Sequence, residues 1–244
     1  MTDAKKILIT GGTGTVGTSL IETFCTKGYT VYFQYSTNDK KAEELCDKYL
    51  IKSFKIDFAS QFILPELEID ILINNTGINI CDTLTHEVSQ ELFDKTIQVN
   101  LSTPFKLSKF YLPRMIQNKW GRIINISSIY GLRGVDYNSP YNISKHGLSG
   151  LTKSIAKEYA ASGITCNEIC PGAIDSELMN RIADRVSKDE GITPKEFLTQ
   201  VSEKYPAKRL VQPNEVSAVA LFLASQEAAY VNGVSIPIDG GLIC

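Results

Sequence analysis

The sequence predicts an α/β protein built on a doubly wound parallel sheet with helices on both faces. Short apolar segments rich in β-branched residues alternate along the chain with longer segments of helical periodicity. Several of the short segments are continuously apolar, as expected for parallel strands that are buried on both faces. The first of them is followed at once by a glycine-rich turn and a helix-like segment, an order that is typical of parallel α/β sheets.

Seven strands are expected between the helical segments. They lie at residues 6–10, 30–35, 52–56, 69–74, 122–126, 165–169 and 234–238. The clearest helical repeats cover residues 87–117, 141–161 and 214–225. The last of these begins behind Pro213, which suits a helix start. Between Asp57 and Ile69 the segment FASQFILPELE is short and contains Pro65, so a turn or loop is expected there rather than a helix.

Bulk composition favours one domain, residues 1–244, and excludes two classes of partner. The chain has 244 residues, 43% of them hydrophobic, enough to bury the core of one α/β domain. With 25 basic and 27 acidic residues, its net charge of -2 provides no field that would gather nucleic acid or an anionic membrane. No apolar run approaches the ~18 residues of a membrane span, and no secretory apolar region precedes the first strand. A cytoplasmic protein is expected.

The six cysteines are expected to be free thiols, because they lack the spacing of a disulfide framework and the chain is too large to need one. Cys166 and Cys170 flank a predicted strand, with no histidine near them in sequence. No metal site is expected from this pattern.

A dinucleotide site is predicted at the glycine-rich turn TGGTGTVG, residues 10–17. The glycines allow a tight turn, a close approach to a pyrophosphate and close packing of the helix on the strand. The N-terminus of the helix offers unpaired N–H groups to the phosphates. The binding residues expected here are Gly11, Thr13, Gly14, Thr15, Val16 and Gly17.

Tyr141 and Lys145 stand four residues apart in a predicted helix, so their side chains leave the same face. An ammonium close to a phenol favours the phenolate and lowers the phenol pKa from its usual ~10, which suits a proton donor and acceptor. Ser128, behind the strand-like GRIINIS, would supply a hydroxyl to the same point if the strand ends beside the helix start. The alternative is an ordinary amphipathic helix, because the spacing YxxxK also occurs by chance.

These segments together resemble the short-chain dehydrogenase/reductase family, and the resemblance runs nearly end to end. Besides the glycine turn and the set Ser128, Tyr141 and Lys145, the chain carries in family order IDF at 56–58, NNTG at 74–77, Asn100 in VNL, PG at 171–172 and IDGG at 238–241. The 3-oxoacyl-(acyl-carrier-protein) reductase type is the most similar, from GRIINISS, the helix after it and the ending YVNGVSIPIDGG. The resemblance implies a Rossmann fold and an NAD(P)-dependent oxidoreductase.

The resemblance implies that Ser128, Tyr141, Lys145 and Asn100 are catalytic. Tyr141 would give its proton to a carbonyl oxygen whose carbon receives hydride, and Ser128 would hydrogen-bond the same oxygen. Lys145 would hold the nicotinamide ribose and keep Tyr141 acidic, while Asn100 would hold a water that returns the proton. Two alternatives stay open: Asn100 as a helix-kink residue, and Ser128 as a strand-end cap with Ser127 as the active hydroxyl.

The end of the second strand favours NADP(H) over NAD(H). The place of the acidic residue that binds the adenosine ribose is taken by Tyr35. Groups able to bind a 2′-phosphate follow at Ser36, Thr37, Asn38, Lys40 and Lys41. The alternatives are that Asp39 turns back to the ribose, and that the two lysines are only the solvated face of a helix.

The remaining cofactor contacts are implied by positions that match the family. They are Asp57, Phe58, Asn74, Asn75, Gly77, Tyr141, Lys145, Pro171, Gly172, Ile174 and Ser176. Asp57 would accept from the adenine amine, unless it only forms a turn. Asn74 would brace the central sheet, and Ser176 replaces the more usual threonine near the nicotinamide carboxamide.

Three departures from the family pattern bear on the phosphate loop and the substrate. Thr15 stands where most members carry the second glycine of TGxxxGxG, which leaves the geometry of the loop open. The 3-oxoacyl reductases present two basic residues to a carrier protein; this chain has Lys119 at the first place and Ser162 at the second. Residues 179–206 are longer than the compact lid of those enzymes and resemble the substrate lids of small-alcohol and sugar dehydrogenases.

Three functions follow in order of preference. The first is NADPH-dependent reduction of a ketone, above all a 3-oxoacyl thioester that is either a small molecule or bound to an acyl-carrier protein. The second is NAD(P)-dependent dehydrogenation of a sugar or other small secondary alcohol, and the third is nucleotide sensing without catalysis. By analogy with the family a homotetramer is expected, assembled through residues 87–117, 141–161 and 234–238.

Overall fold

The protein contains one sheet of seven parallel strands in the order β3-β2-β1-β4-β5-β6-β7. The structure is a computed structural model that describes residues 4–244; the first three residues of the predicted domain, which belong to the segment considered for a secretory signal, lie outside it. The strands are β1 (Lys6–Ile9), β2 (Thr30–Tyr35), β3 (Lys52–Lys55), β4 (Ile71–Asn74), β5 (Gly121–Ile126), β6 (Ile164–Pro171) and β7 (Ser235–Ile238). Helices pack on both faces, so the predicted doubly wound α/β sheet is confirmed.

The α-helices of residues 4–244 follow the predicted alternation. They are α1 (Thr15–Thr26), α2 (Asp39–Tyr49), α3 (Gln90–Ile97), α4 (Thr103–Gln117), α5 (Ser139–Tyr159), α6 (Glu177–Glu190), α7 (Pro194–Glu203) and α8 (Pro213–Ala224). None of them is long and apolar enough to cross a bilayer. The segment after Asp57 forms turns and loop without a helix, as predicted, and the carbonyl of Pro65 accepts a hydrogen bond from the Tyr111 hydroxyl at 2.8 Å.

The helical region predicted at 87–117 is divided into α3 and α4 by a π-helical turn, Gln98–Ser102. Such a wide turn inserts a residue without ending the helix, so the apolar repeat continues across it. The predicted helices 141–161 and 214–225 correspond to α5 and α8, and both begin earlier than predicted. Pro140 and Pro213 lie in their first turns, where a missing N–H costs no hydrogen bond.

The sheet divides the hydrophobic core into two layers, because successive side chains of a strand point to opposite faces. In β1, Ile7 and Ile9 pack in the layer of α1, α2 and α8, whereas Leu8 packs in the layer of α4 and α5. Burying each of these side chains contributes ~1.5–3 kcal/mol. The two layers hold the strands rigidly, and the strands in turn position the loops at their ends.

The order in which strands are added to the sheet reverses between β1 and β4. From β1 the sheet grows outward to β2, and from β4 it grows on the other side to β5. In open parallel sheets, ligands bind in the crevice that such a reversal leaves beyond the carboxyl ends of the strands. The turns after β1, β4 and β6 open on this crevice, and α6 lies along it.

Candidate active site

The glycine turn after β1 contains two positions at which a side chain is unfavourable. Gly11 has a φ of +68°, in the left-handed region. A Cβ built on Gly17 would overlap the carbonyl group of Gly11. The N–H of Gly14 donates to that same carbonyl oxygen at 3.1 Å and closes the turn. The first turn of α1 therefore packs directly on the glycine turn.

Thr15, which departs from the family pattern, is the first residue of α1. Gly14 is the N-cap, and no side chain caps the helix, so the first N–H groups of α1 stay available to an anion. An uncapped helix N-terminus behind a turn without side chains fits the pyrophosphate of a dinucleotide. The Thr15 hydroxyl accepts the N–H of Glu177 at 3.4 Å and so joins the turn to α6.

Gln34 of β2 fixes the glycine turn from beneath. Its side-chain Oε1 accepts the N–H of Gly11 at 2.9 Å, and its main-chain carbonyl accepts the N–H of Gly12 at 2.8 Å. The Thr76 hydroxyl also donates to Oε1, at 3.1 Å, which ties the turn after β4 to the turn after β1. Sequence reasoning missed Gln34, because a single polar residue in a strand does not reveal which loop it reaches.

A cleft of about 620 Å³ extends from the glycine turn along the ends of the strands. Most of the predicted cofactor-binding residues line it: Gly11, Thr13, Gly14, Thr15, Val16, Gly17, Tyr35, Ser36, Thr37, Asp57, Phe58, Asn75, Gly77, Ile174 and Ser176. The remaining predicted residues do not: Asn74, Tyr141, Lys145, Pro171 and Gly172. Asn74 is buried in the sheet instead, where its amide donates to the Asn125 side chain at 2.8 Å, in keeping with a bracing role.

Several residues of the cleft were not predicted. Lys95, Glu177, Leu178 and Arg181 line it, although they come from α3 and α6, far from the glycine turn in sequence. No short motif signals such residues, because only the packing of the helices brings them to the cleft. Thr76 also lines the cleft. Because it lies inside the NNTG motif, the sequence could have indicated it.

The acidic residue near the end of β2 is held away from the cleft. Asp39 does not line the cleft, and its carboxylate accepts a hydrogen bond from Lys55 at 2.7 Å. Hydrogen bonds from Lys55 and from the Tyr35 phenol hold the pKa of Asp39 below its usual value. The alternative in which Asp39 binds the ribose is therefore not the arrangement in the structure.

The other charged residues at this end behave as surface and turn groups. Neither Lys40 nor Lys41 lines the cleft, and Lys41 lies 3.6 Å from Glu44 within α2, as in the alternative that makes the two lysines the solvated face of a helix. Asp57 lines the cleft, but its carboxylate accepts the N–H of Ala59 at 3.0 Å and forms a turn. Hydroxyl groups, not charges, dominate this part of the cleft.

The structure brings Tyr141 and Lys145 together on one face of α5, as their spacing predicts. The Lys145 Nζ lies 5.5 Å from the centroid of the Tyr141 ring and donates to the carbonyl of Ile126, at the end of β5, at 2.9 Å. A Cβ built on Gly77 would lie 3.5 Å from the same Nζ, so the turn after β4 also reaches this point. Three elements thus converge on the ammonium.

The pKa shifts of this pair differ from the sequence-based expectation. Burial raises the pKa of Tyr141 to about 12, and a hydrogen bond with the Ser128 hydroxyl opposes that rise. Burial lowers the pKa of Lys145 to about 8. The expected lowering of the phenol pKa by the ammonium is wrong for this structure, because desolvation of the phenolate outweighs any attraction to Lys145. At neutral pH Tyr141 is a neutral phenol and therefore holds a proton to donate.

The two adjacent serines point to different places. Ser128 lines a cavity together with Tyr141, and its Oγ accepts the N–H of Tyr130 at 3.2 Å. Its own hydroxyl proton is donated toward the Tyr141 oxygen, in the hydrogen bond that opposes the rise in the Tyr141 pKa. Ser127 is 5% exposed, does not line the cavity, and its Oγ has no hydrogen-bond partner within residues 4–244. Ser128 is both a cap and the hydroxyl that faces the cavity.

Asn100 lies in the π-helical turn between α3 and α4 and is 1% exposed. Its amide exchanges two hydrogen bonds with the main chain of Ile78, at 2.8 and 2.9 Å, and donates to the Ser144 hydroxyl at 3.1 Å. Ser144 precedes Lys145 on α5. Asn100 therefore joins the turn after β4 to α5, and the wide helical turn that was its alternative explanation is also present.

A second cavity, also of about 620 Å³, adjoins the cleft on the side of Ser128 and Tyr141. Its polar lining consists of Asn79, Ser128, Tyr130, Asn138, Tyr141, Arg181, Arg185 and Tyr205, and its apolar lining includes Ile80, Val135, Leu178, Met179 and Ile182. Ile174, Ser176, Leu178 and Arg181 line both spaces, so a ligand in the cleft and a ligand in the cavity would meet there.

The outer wall of this cavity is α6. Arg185 of α6 pairs with Asp82, in the loop after β4, at 2.7 Å, and each side chain is 56% exposed. Together with the contact between Glu177 and Thr15, this pair connects α6 to both sides of the crevice. The predicted lid segment 179–206 corresponds to most of α6 and to α7.

Within residues 4–244, no group of three or more His, Cys, Asp or Glu side chains could hold a metal ion. All six cysteines are free thiols. Burial raises the pKa of Cys170, which lies beside the Ser127–Ser128 segment, to about 12, so this thiol stays protonated and unreactive at neutral pH.

Comparisons with known proteins agree with the fold. The family model described as Enoyl-(Acyl carrier protein) reductase matches residues 14–243. The chain is 34% identical over 245 residues to a 3-oxoacyl-[acyl-carrier-protein] reductase of Rickettsia felis, covering 98% of this chain and 97% of the relative. It is 38% identical over 173 residues to a D-beta-hydroxybutyrate dehydrogenase of Rhizobium meliloti, covering 70% of this chain and 67% of the relative.

A solved structure extends this likeness to three dimensions. A single-residue variant of the actinorhodin polyketide ketoreductase, solved with NADPH, superimposes with a TM-score of 0.90 at 28% identity, covering 99% of this chain and 98% of that one. These matches span the glycine turn and the segment of Ser128, Tyr141 and Lys145. The chain belongs to the short-chain dehydrogenase/reductase family, and it is an oxidoreductase that uses a nicotinamide cofactor.

Proposed function

We propose that this protein reduces a ketone to a secondary alcohol with NADPH, and that the ketone is a 3-oxoacyl thioester. The observation that carries the proposal is the position of Ser128 and Tyr141, which line a cavity adjoining the dinucleotide cleft. Lys145 lies against Tyr141 at the same point. A carbonyl held there would face a proton donor and the nucleotide at the same time.

Proton donation is assigned to Tyr141. The nicotinamide, when bound, supplies hydride to the carbonyl carbon. Tyr141 is a neutral phenol at neutral pH, so it can donate its proton to the carbonyl oxygen as negative charge develops there. Ser128 holds the same oxygen, because its Oγ accepts from Tyr130 and its hydroxyl proton, directed at the Tyr141 oxygen in the structure, can be donated to a carbonyl oxygen bound beside Tyr141.

Lys145 and Asn100 are assigned to supporting tasks. The ammonium of Lys145, beside the Tyr141 ring, is assigned to stabilise the phenolate that Tyr141 becomes after donation and to bond the nicotinamide ribose. The amide group of Asn100 donates to Ile78 and to Ser144, and its Oδ1 accepts from Ile78. We therefore assign that side chain to holding α5 in place, and the relay water to main-chain groups of the π-helical turn around it.

The preference for NADPH is supported by the adenosine end of the cleft. Asp39, the carboxylate that could select NAD, is paired with Lys55, while the hydroxyl groups of Ser36 and Thr37 line the cleft. A carboxylate at the ribose would repel a 2′-phosphate, whereas hydroxyls can donate to it. We expect kcat/KM for ketone reduction to be higher with NADPH than with NADH. A higher value with NADH would contradict this part of the proposal.

A 3-oxoacyl substrate is supported by the reductase relative and by Lys119, a basic residue at one of the two family positions for a carrier protein. The cavity volume of about 620 Å³ is in the range of small-molecule sites. The second candidate is dehydrogenation of a small secondary alcohol. The hydroxybutyrate dehydrogenase relative and the α6–α7 segment, which we propose to be the substrate lid, favour it.

One screen separates these candidates. NADPH oxidation would be followed with acetoacetyl thioesters and with simple ketones, and NAD(P)⁺ reduction with 3-hydroxybutyrate and with sugars. We expect the highest kcat/KM with the thioesters. A higher value with 3-hydroxybutyrate or a sugar would favour the second candidate. Tight nucleotide binding without turnover of any substrate would contradict both and leave a nucleotide sensor.

We also propose that the protein assembles through α4 and α5. Phe105 and Ile116 of α4 are 52% and 38% exposed, and they border a groove between the two helices that Leu151 of α5 also lines. Large apolar side chains exposed together are typical of an interface. A second copy is the expected occupant, and a tetrameric mass in solution is the expected measurement. A monomeric mass would contradict this proposal without affecting the reaction.

A further inference from the structure

Glu168 is a buried carboxylate that the proposed mechanism does not use. It lies in the middle of β6, a strand whose eight residues are all buried, and its side chain is 0% exposed. An ionised group in such a place is costly unless it is paired or hydrogen-bonded. Its neighbours therefore decide whether it can carry a charge.

Hydrogen bonds satisfy only part of this carboxylate. Oε1 accepts a hydrogen bond from the hydroxyl of Ser235, the residue opposite Glu168 on β7. Oε2 has no hydrogen-bond partner among the residues that the structure describes. One oxygen of a fully buried carboxylate is thus left to interact with charges nearby.

Lys145 is the cation that reaches the same part of the sheet. Glu168 points toward the layer of α4 and α5, because Cys166, two residues earlier on the strand, packs in that layer. Nζ of Lys145 donates to the carbonyl of Ile126, and Ile126 lies opposite Ile169, the residue next to Glu168. The ammonium therefore contacts the sheet one register position away from the backbone of Glu168.

Four other titratable groups lie around this pair. They are Tyr141 on α5, Cys166 and Cys170 on β6, and Tyr130 after β5. Burial raises the pKa of both Tyr141 and Cys170 to about 12, and it raises that of Cys166 further. Burial lowers the pKa of Lys145 to about 8, and negative charge at Cys170 or Glu168 opposes that fall. Because the Cys170 thiol is protonated at neutral pH, the carboxyl group of Glu168 is the acidic group of the two that is left to act on Lys145.

We propose that Glu168 is a positioning residue whose buried carboxylate keeps Lys145 in its ammonium form beside Tyr141. The inference rests on the proposed function, in which Lys145 must be charged to stabilise the Tyr141 phenolate. A buried ammonium without a counter-charge loses its proton more easily. Glu168 thus extends the range of pH over which the site is active.

The test is the pH dependence of Glu168→Gln. Glutamine keeps the shape of the side chain and an acceptor for Ser235, but it removes the charge. We expect the fall of kcat/KM on the alkaline side to move to lower pH by about one unit, because the pKa of Lys145 drops when its counter-charge is removed. The affinity for NADPH, measured by fluorescence at each pH, should show the same displacement.

Ser235→Ala is the matched control, because it removes the hydrogen bond of Glu168 and keeps the carboxyl group itself. In Ser235→Ala, kcat/KM should fall at the same alkaline pH as in the wild-type protein. Profiles of Glu168→Gln that superimpose on the wild type would overturn the inference, as would a shift in Ser235→Ala of the same size. If Glu168→Gln does not fold, Glu168→Met, which fills similar volume without a charge, takes its place. Failure of both to fold would assign Glu168 a structural role and also overturn the inference.

The inference and the proposed function fail in different ways. If the wild-type protein reduces no ketone, the proposed function is wrong, and the pH dependence of NADPH affinity alone decides the role of Glu168. If the wild-type protein is active and its profile equals that of Glu168→Gln, only the role of Glu168 is wrong.

Discussion

The cofactor cleft and the substrate cavity meet at Ile174 and Ser176, yet they are built from different parts of the chain. The cleft is shaped mainly by backbone: a glycine turn, an uncapped helix N-terminus and the ends of strands. The cavity is shaped by side chains of loops and of α6, such as Tyr130 and Arg185. Side chains that line the cavity can be substituted without disturbing the sheet, whereas the glycine turn cannot be changed without disturbing the cleft. Relatives of one fold can therefore share a cofactor and differ in substrate.

The largest effect is expected on the substrate side, from Tyr141→Phe. Removal of the proton donor should lower kcat/KM for ketone reduction by at least ~10²-fold, because general acid catalysis is lost. NADPH affinity should change little, since the phenol does not line the cofactor cleft. Tyr137→Phe is the control, because that phenol is 53% exposed and does not line the cavity. Near-normal turnover by Tyr141→Phe would refute the assignment.

The next effect is expected on the cofactor side, from Gly17→Ala. The added Cβ would overlap the Gly11 carbonyl, so the turn and α1 must separate. We expect NADPH affinity, measured by fluorescence titration, to fall at least about tenfold, a loss of ~1.4 kcal/mol. Gly134→Ala is the control, since its Cβ would meet no atom within 4 Å. An unchanged Kd in Gly17→Ala would show that the turn is not the pyrophosphate site.

An intermediate effect is expected from pH, which acts on Lys145 beside Tyr141. Burial lowers the pKa of Lys145 to about 8, so its ammonium is present below that pH and lost above it. The kcat/KM of the enzyme for ketone reduction should therefore fall as pH rises through about 8. The measurement is a pH profile at saturating NADPH. A profile that stays level well above this pH would show that Lys145 keeps its proton or that its charge does not matter.

The smallest effect is expected in the segment that we propose to be the substrate lid, from Arg185→Gln. The ion pair between Arg185 and Asp82 is 56% exposed on both sides, so it contributes less than ~1 kcal/mol. We expect the KM for the ketone to rise by less than about fivefold, with kcat and NADPH affinity unchanged. Asp82→Asn should give the same result, and the double variant should add nothing further. Additive effects of the two changes would show that they do not act through this contact.

The sequence predicted the architecture and most of the cofactor cleft, because both depend on local patterns. Continuous apolar strands, the glycine turn and the four-residue spacing of Tyr141 and Lys145 each determine a structure within a few residues of themselves. The structure differs from the sequence-based predictions where a residue far away in the sequence determines the local contacts. The pairing of Asp39 with Lys55 on the next strand and the support of the glycine turn by Gln34 are two examples.

By itself, the sequence determined the parallel sheet, the dinucleotide turn and the meeting of a phenol with an amine on one helix face, since each follows from the geometry of neighbouring residues. Only the tertiary structure decided the electrostatics of the pair formed by Tyr141 and Lys145. Burial by surrounding elements raises the pKa of Tyr141 and lowers that of Lys145, and it brings Glu168 of β6 into the same layer. The reason is physical: desolvation and charge act through space, and a residue's neighbours in space are set by how the strands and helices pack.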